Sequence, residues 1–375
     1  MKVNWNYPTS IWFGPGRLAE LPAALVQAGM ARPLVVTDPE LARTPVLAKV
    51  RSLLPQAAVF DQVRPNPTGE TVQEGLKAFR AAGCDGVVAV GGGSSLDAGK
   101  AVALMVGQHR PLWDFEDEGD NYQRVEVAGM APVVAVPTTS GTGAEVGRVA
   151  VITDAARHSK RLIFHPRLVP ALVIADPELT VGMPARLTAA VGMDALSHNL
   201  EAYCSPTFHP MADGVALEGM RLIKNSLVKA YRDGTDLPAR AEMLAASLMG
   251  AVAFQKGLGA IHSMSHPVGG LFNTHHGLTN AVVMPYVLEF NQSHLGEKLP
   301  RLERYLELPG SLLDWILDLR QQLEIPATLQ ELGVDGAALD ELSRQATADP
   351  SAATNPRPLD YDTHRQLFKA ALGGS

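Results

Sequence analysis

Asp194 and His198 lie four residues apart in Gly192-Met193-Asp194-Ala195-Leu196-Ser197-His198, a run of good helix formers. On a helix that spacing puts the carboxylate and the imidazole on one face, where both can grip one cation. Two ligands rarely close a site, and further along the chain His262, His266, His275 and His276 gather around a Gly-rich bend between apolar runs. One carboxylate with several imidazoles is the donor set of a divalent transition metal, and it does not separate iron from zinc. The plain alternative is a solvated helix pair with unrelated histidines nearby.

The first half carries a second chemistry. Gly91-Gly92-Gly93-Ser94-Ser95-Leu96-Asp97-Ala98-Gly99-Lys100 follows an apolar run and precedes a helix expected over residues 101–106. Glycines let a backbone approach a pyrophosphate, and a helix start offers it unpaired N–H groups. The stretch is neither GxGxxG nor a Walker motif, so a simple tight turn stays open. Pro137-Thr138-Thr139-Ser140-Gly141-Thr142-Gly143 closes another apolar run with hydroxyls suited to ribose, phosphate or an amide. Asp38, ending Pro33-Leu34-Val35-Val36-Thr37, could hold a ribose or simply cap a turn.

These groups need rigid elements to position them. Strand-like runs near residues 11–13, 33–38, 57–60, 86–90, 132–136, 149–153 and 171–176 alternate with helical stretches at 17–28, 41–54 and 69–82. That alternation predicts a parallel sheet covered on both faces. After Pro184 the spacing becomes helical, with helices expected at 187–203, 211–229, 238–255, 261–267, 280–290, 311–322, 335–345 and 361–372. The expected organisation is an α/β dinucleotide-binding domain over residues 1–182 and an all-α metal-binding domain over 183–375, with the metal facing the crevice between them.

Bulk properties narrow the partners. The 375 residues exceed what one hydrophobic core usually organises. Apolar residues make up 46%, charged residues 19%, and the net charge is -7, which speaks against nucleic acid or an anionic membrane. The polar start Met1-Lys2-Val3-Asn4-Trp5-Asn6-Tyr7 is unlike a signal sequence, and no spanning apolar run is apparent, so a cytoplasmic protein is expected. Cys84 and Cys204 are isolated and read as small buried hydrophobes.

Taken together, Asp38, Pro65-Asn66-Pro67-Thr68, the 91–97 loop, residues 137–142 with Glu145-Val146, Asp176-Pro177-Glu178-Leu179, the 192–198 stretch and His262 through His276-Gly277 carry a family likeness. Over nearly its whole length the chain resembles the iron-containing, metal-dependent alcohol dehydrogenases, whose fold is dehydroquinate synthase-like. The resemblance implies Asp194, His198, His262 and His276 as metal ligands, with Asp194, His262 and a non-coordinating His266 forming the catalytic centre. It implies that Asp38, Gly92, Gly93, Ser94, Thr138, Thr139, Thr142, Val151, Lys160 and Leu179 line an NAD site, supported by Asp97 and Asn66. It also implies Fe2+, with Zn2+ possible, and a homodimer or larger homo-oligomer. One departure is Val149, where several members carry a polar residue. Residues 189–194 and 253–259 most resemble bacterial 4-hydroxybutyrate dehydrogenases.

The expected function is therefore hydride transfer between NAD(H) and a small primary alcohol or its aldehyde, such as a short ω-hydroxy acid. A carboxylate substrate would need a cation; Arg148 is the first candidate, with a structural ion pair as its alternative role. Other readings are a dehydroquinate synthase-like lyase, which would need more Lys and Arg than the metal-bearing helix offers, a maleylacetate reductase-like or glycerol dehydrogenase-like enzyme, and a non-catalytic binding module. An acid at residue 38 accepts ribose hydroxyls and repels a 2′-phosphate. Asp38→Gly should accordingly relax a preference for NADH, measured as relative kcat/KM; a native protein more efficient with NADPH would contradict the role.

Overall fold

The computed structural model describes residues 4–157 and 159–373. The opening Met1-Lys2-Val3, and His158 within the basic segment 157–161, lie outside the described residues. The chain divides into two compact units. One comprises Tyr7–Thr139 and Gly143–Val181; the other takes the N-terminal stretch up to Asn6, Ser140–Thr142, and the chain from Gly182 on.

The first unit is α/β. Its strands are β1 (Ser10–Phe13), β2 (Pro33–Val36), β3 (Ala58–Phe60), β4 (Gly86–Gly91), β5 (Val133–Pro137), β6 (Val149–Asp154), β7 (Ser159–Phe164) and β8 (Leu172–Ala175). All except β6 and β7 form one parallel sheet in the order β1-β8-β5-β4-β2-β3. Val35, Val88, Val90, Val134 and Val136 pack with Leu21, Leu25, Leu47 and Val50 of helices α1 (Leu21–Gln27) and α2 (Pro45–Leu53). Helices α3 (Gly69–Ala81) and α4 (Gly93–Met105) cover the opposite face. There a Cβ on Gly99 would lie 2.7 Å from that of Ala89. The near-continuous Val/Ala runs fit a sheet buried on both sides.

Two expectations need correction here. The run at 149–153 does not join the main sheet: β6 pairs antiparallel with β7, a strand not expected from the sequence. Arg161 in β7 is held by Glu116 and by Asp154 at 3.2 Å, and its guanidinium sits 4.9 Å over the Trp113 ring, so its charge serves the fold. The helix expected at 101–106 begins at Gly93, eight residues earlier, because its apolar faces are buried and outweigh the poor helix propensity of Gly93 and Gly99.

The second unit is helical: α5 (Ala185–Cys204), α6 (Pro210–Arg232), α7 (Leu237–Ala253), α8 (Ala260–Phe272), α9 (His276–Asn291), α10 (Lys298–Tyr305), α11 (Leu312–Gln322), α12 (Leu339–Ala348) and α13 (Tyr361–Ala371). They share one apolar core that includes Met193, Leu196, Met220, Met264, Val283 and Phe368. By length and apolar composition Leu237–Lys256 could cross a membrane, contrary to the expectation from the sequence; 56% of its apolar window is buried, as in a core helix.

α5 and α9 approach closely because Gly277 has no side chain. A Cβ there would stand 2.3 Å from the Ala190 carbonyl oxygen and 2.9 Å from Asp194 Cβ. Backbone cannot give way as a side-chain tip can. Gly277→Ala should therefore destabilise the fold by about 1–3 kcal/mol, read as a lower urea midpoint; an unchanged midpoint would contradict this packing.

Candidate metal centre and dinucleotide loops

Asp194 and His198 sit one turn apart on α5, and both are buried. α8 carries His262 and His266, again four apart, and His276 is the first residue of α9. α8 runs on through Pro267, where the sequence suggested a stop, and ends at Asn273 in the left-handed region. The proline costs one backbone hydrogen bond, but Met264 and Val268 on either side are fully buried. α9 in turn starts four residues before its expected beginning. His275, the residue before it, is exposed.

The three helices bring Asp194, His262 and His276 together, with one donor atom from each within 4.8 Å of the others. His276 Nε2 lies 3.6 Å from Asp194 Oδ1. His198 stands just outside this trio, its Nε2 3.9 Å from Asp194 Oδ1 and its ring stacked on His262 at 4.6 Å between centroids. The His266 ring stacks on His276 at 5.5 Å. Burial, with His198 and His266 nearby, pushes the His262 imidazole well below its usual range, which keeps a ring lone pair free.

Four surrounding residues were not singled out from the sequence. Asn280, one turn after His276, brings Nδ2 to 2.8 Å from Asp194 Oδ1, 3.2 Å from His276 Nε2 and 3.4 Å from His262 Nε2. Glu201 Oε2 lies 2.6 Å from His262 Nδ1; burial raises this carboxyl, while the backbone N–H groups at 259–262 and the His198 charge favour its ionised form. Ser265 Oγ is 3.4 Å from His276 Nδ1. Asp349 Oδ2 is 2.7 Å from His266 Nδ1. Helical spacing from the ligands could have flagged Glu201 and Asn280. Asp349, 83 residues from its partner, left no such signal.

In the α/β unit, β4 and β5 are neighbours, and their carboxyl ends bring two loops together. The Thr138 N–H donates to the Gly91 carbonyl at 3.0 Å, and a Cβ on Gly92 would lie 3.2 Å from Thr139 Cγ2. Gly91 has a φ of 144°, open to glycine alone, and a Cβ there would also strike Ser95 at 2.7 Å. Gly92 caps α4 without a side-chain partner, while Gly93 and Ser94 form its partly exposed first turn. Asp38 caps a turn, its Oδ1 accepting the N–H groups of Glu40 and Leu41 at 3.0 and 2.8 Å, while Ser95 Oγ stands 3.5 Å from its Oδ2.

The remaining residues have more structural surroundings. Asp97 lies within α4, pairs with Lys100 at 2.9 Å and accepts the Val151 N–H at 3.2 Å, pinning β6. Lys160 stands opposite Thr153 in the β6–β7 ribbon, and Asn66 takes a positive φ of 54° in its turn. Leu179 packs into the core under the sheet. Thr142 groups with the helical unit, where a Cβ on its neighbour Gly141 would lie 2.7 Å from Val191 Cβ. The Val149 carbonyl accepts from Lys100 Nζ. Arg148 lies 5.9 Å over the Phe164 ring, and its charge bears on Asp117.

Residues 8–177 match the family described as iron-containing alcohol dehydrogenase, and residues 188–372 match the C-terminal region of the Fe-containing alcohol dehydrogenase family. A 4-hydroxybutyrate dehydrogenase of Cupriavidus necator is 39% identical, covering 98% of this chain and 99% of its own. The chain belongs to the iron-containing alcohol dehydrogenases. An NAD-dependent methanol dehydrogenase of Bacillus methanolicus is 36% identical over 99% of this chain and 100% of its own. A solved 1,3-propanediol oxidoreductase superposes with a TM-score of 0.93 at 33% identity, covering 99% of this chain and all of that one.

The donor set of this family member fits a divalent cation. The Asn280 amide nitrogen donates to Asp194 Oδ1 and also faces His262 Nε2 and His276 Nε2, so these three atoms converge on one region. His198 Nδ1 is buried with no hydrogen-bond partner among the described residues. One carboxylate with imidazoles suits iron or zinc.

His266 is steadied from outside the trio. Burial tends to raise the Asp349 carboxyl, but the His266 charge and hydrogen bond, with Ser351, hold it below its usual value. A carboxyl with a depressed folded pKa stabilises the fold above its unfolded value, near 3.8, and that contribution fades as pH falls through the lower folded value. Asp349→Asn should thus lower the urea midpoint more at about pH 5 than at about pH 2.5; an equal loss at both would contradict the depressed carboxyl.

Proposed function

We propose that this alcohol dehydrogenase is NAD(H)-dependent, holds one divalent cation, iron or zinc, at Asp194, His198, His262 and His276, and interconverts a small primary alcohol and its aldehyde. The convergence of Asp194, His262 and His276 within 4.8 Å carries the metal part. Asp194, His198, His262 and His276 would hold a cation whose Lewis acidity would make an alcohol hydroxyl easier to deprotonate and a carbonyl easier to reduce. His266, steadied by Asp349, would relay that proton. Asn280 orients the Asp194 carboxylate through the 2.8 Å hydrogen bond.

Dinucleotide binding falls to the first turn of α4, whose unpaired N–H groups and dipole favour a pyrophosphate, and to the hydroxyls at 138–142. Asp38 Oδ2 would accept a ribose hydroxyl. The NAD dependence of the Bacillus methanolicus relative supports this choice. For the substrate we take a short ω-hydroxy acid such as 4-hydroxybutyrate, supported by the Cupriavidus necator relative. Arg148 would meet its carboxylate.

Metal-loaded protein should raise the NADH absorbance with primary alcohols and turn over 4-hydroxybutyrate with higher kcat/KM than butanol. Equal efficiency on the two would remove the substrate class, and no response to any primary alcohol would remove the function. In the same assay His262→Ala and His276→Ala should lose metal and turnover while NADH still binds, and His275→Ala should be mild. His266→Ala should keep the metal and slow turnover by about 10²–10⁴-fold. A His262→Ala protein with full metal content and full activity would overturn the ligand assignment.

A further inference from the structure

Along α5, Asp194, His198 and Glu201 follow at steps of four and three, one stripe of the helix. Glu201 nevertheless serves a different partner from the other two. Its Oε1 accepts the Ile261 N–H at 2.6 Å, its Oε2 lies 2.6 Å from His262 Nδ1, and the residue is 5% exposed. α8 needs such help. Its N-cap residue is Gly259, which has no capping side chain, and a Cβ there would stand 2.9 Å from Glu201 Oε1 and 2.8 Å from Asn355 Oδ1. The Ala260 N–H goes to Asn355 at 3.1 Å and the Ile261 N–H to Glu201. Side chains from elsewhere in the chain therefore cap the helix that carries His262.

The same contacts settle the proton on His262. The Asp194 carboxylate, an acceptor, lies 2.8 Å from Asn280 Nδ2 and so fixes which way round that amide sits. The amide nitrogen, a donor, is also the atom facing His262 Nε2 at 3.4 Å. Nε2 is thereby the acceptor of the ring, the proton belongs on Nδ1, and Glu201 Oε2 receives it. The lone pair of His262 faces the side of Asp194 and His276.

We propose that Glu201 is the positioning residue of the metal centre: it holds His262 in the Nδ1–H tautomer and ties the N-terminus of α8 to α5, so that ligands from separate helices meet at one ion. The proposal rests on the metal assignment above. Glu201→Gln separates its two tasks. A glutamine oxygen can still accept the Ile261 N–H, but its amide NH2 then faces Nδ1 and favours the wrong tautomer. Glu201→Asp keeps an acceptor and shortens its reach.

The test is a cobalt(II) titration of native, Glu201→Gln and Glu201→Asp full-length protein against a chromophoric chelator, with the visible cobalt spectrum recorded. Circular dichroism and NADH titration check that each chain is folded. Glu201→Gln should raise the cobalt dissociation constant by about 10–100-fold and change the spectrum while NADH affinity stays native. Glu201→Asp should fall between it and the native protein. If Glu201→Gln does not fold, Glu201→Asp decides alone: a several-fold weaker, spectrally altered site supports the proposal, and a native one overturns it. A folded Glu201→Gln protein with native cobalt affinity and spectrum also overturns it. Native protein that binds no cobalt would instead sink the metal assignment on which it rests.

Discussion

A carboxylate and three imidazoles packed into the apolar core of a helical unit are costly to bury, because each gives up water and the lone pairs repel one another. Asp194 and His262 are 2% and 1% exposed, so solvent cannot offset that cost. The Asn280 amide nitrogen faces three of these groups, but a neutral dipole answers an anionic site only in part. A divalent cation answers it fully. Much of the unit's local design fits such an ion: Gly277 lets α9 approach α5, and Glu201, Ser265 and Asp349 each meet the outer nitrogen of a histidine.

The α/β unit solves a different problem with similar economy. A parallel sheet buried on both faces leaves only its carboxyl ends for chemistry. At two neighbouring ends, glycines and small hydroxyl residues replace bulk, so that backbone N–H groups at the start of α4 remain accessible. Lys100 and Asp97, buried within α4, hold the β6–β7 ribbon.

How much of this was legible depended on the distance over which each signal acts. Asp194 and His198 declare themselves because helical periodicity is local, and the parallel sheet declares itself through short apolar runs alternating with helices. The same local view hid Glu201, whose partner lies 61 residues away, and Asp349, 83 residues from His266. It misread the start of α4, where three glycines look like loop until the burial of Leu96, Ala98 and Val102 is known. It also missed β7, because a strand paired in a half-buried ribbon need not be apolar, and α10, short and mostly polar.

The claim that the helical core is built around one cation is tested most directly by removing it. Protein stripped with a strong chelator and then reloaded should bind close to one divalent ion per chain, and its thermal midpoint should fall on stripping and recover on reloading, since a ligand bound only by the folded state stabilises it. A stripped chain with an unchanged midpoint, undiminished alcohol turnover and no measurable uptake of iron, zinc or cobalt would contradict the account.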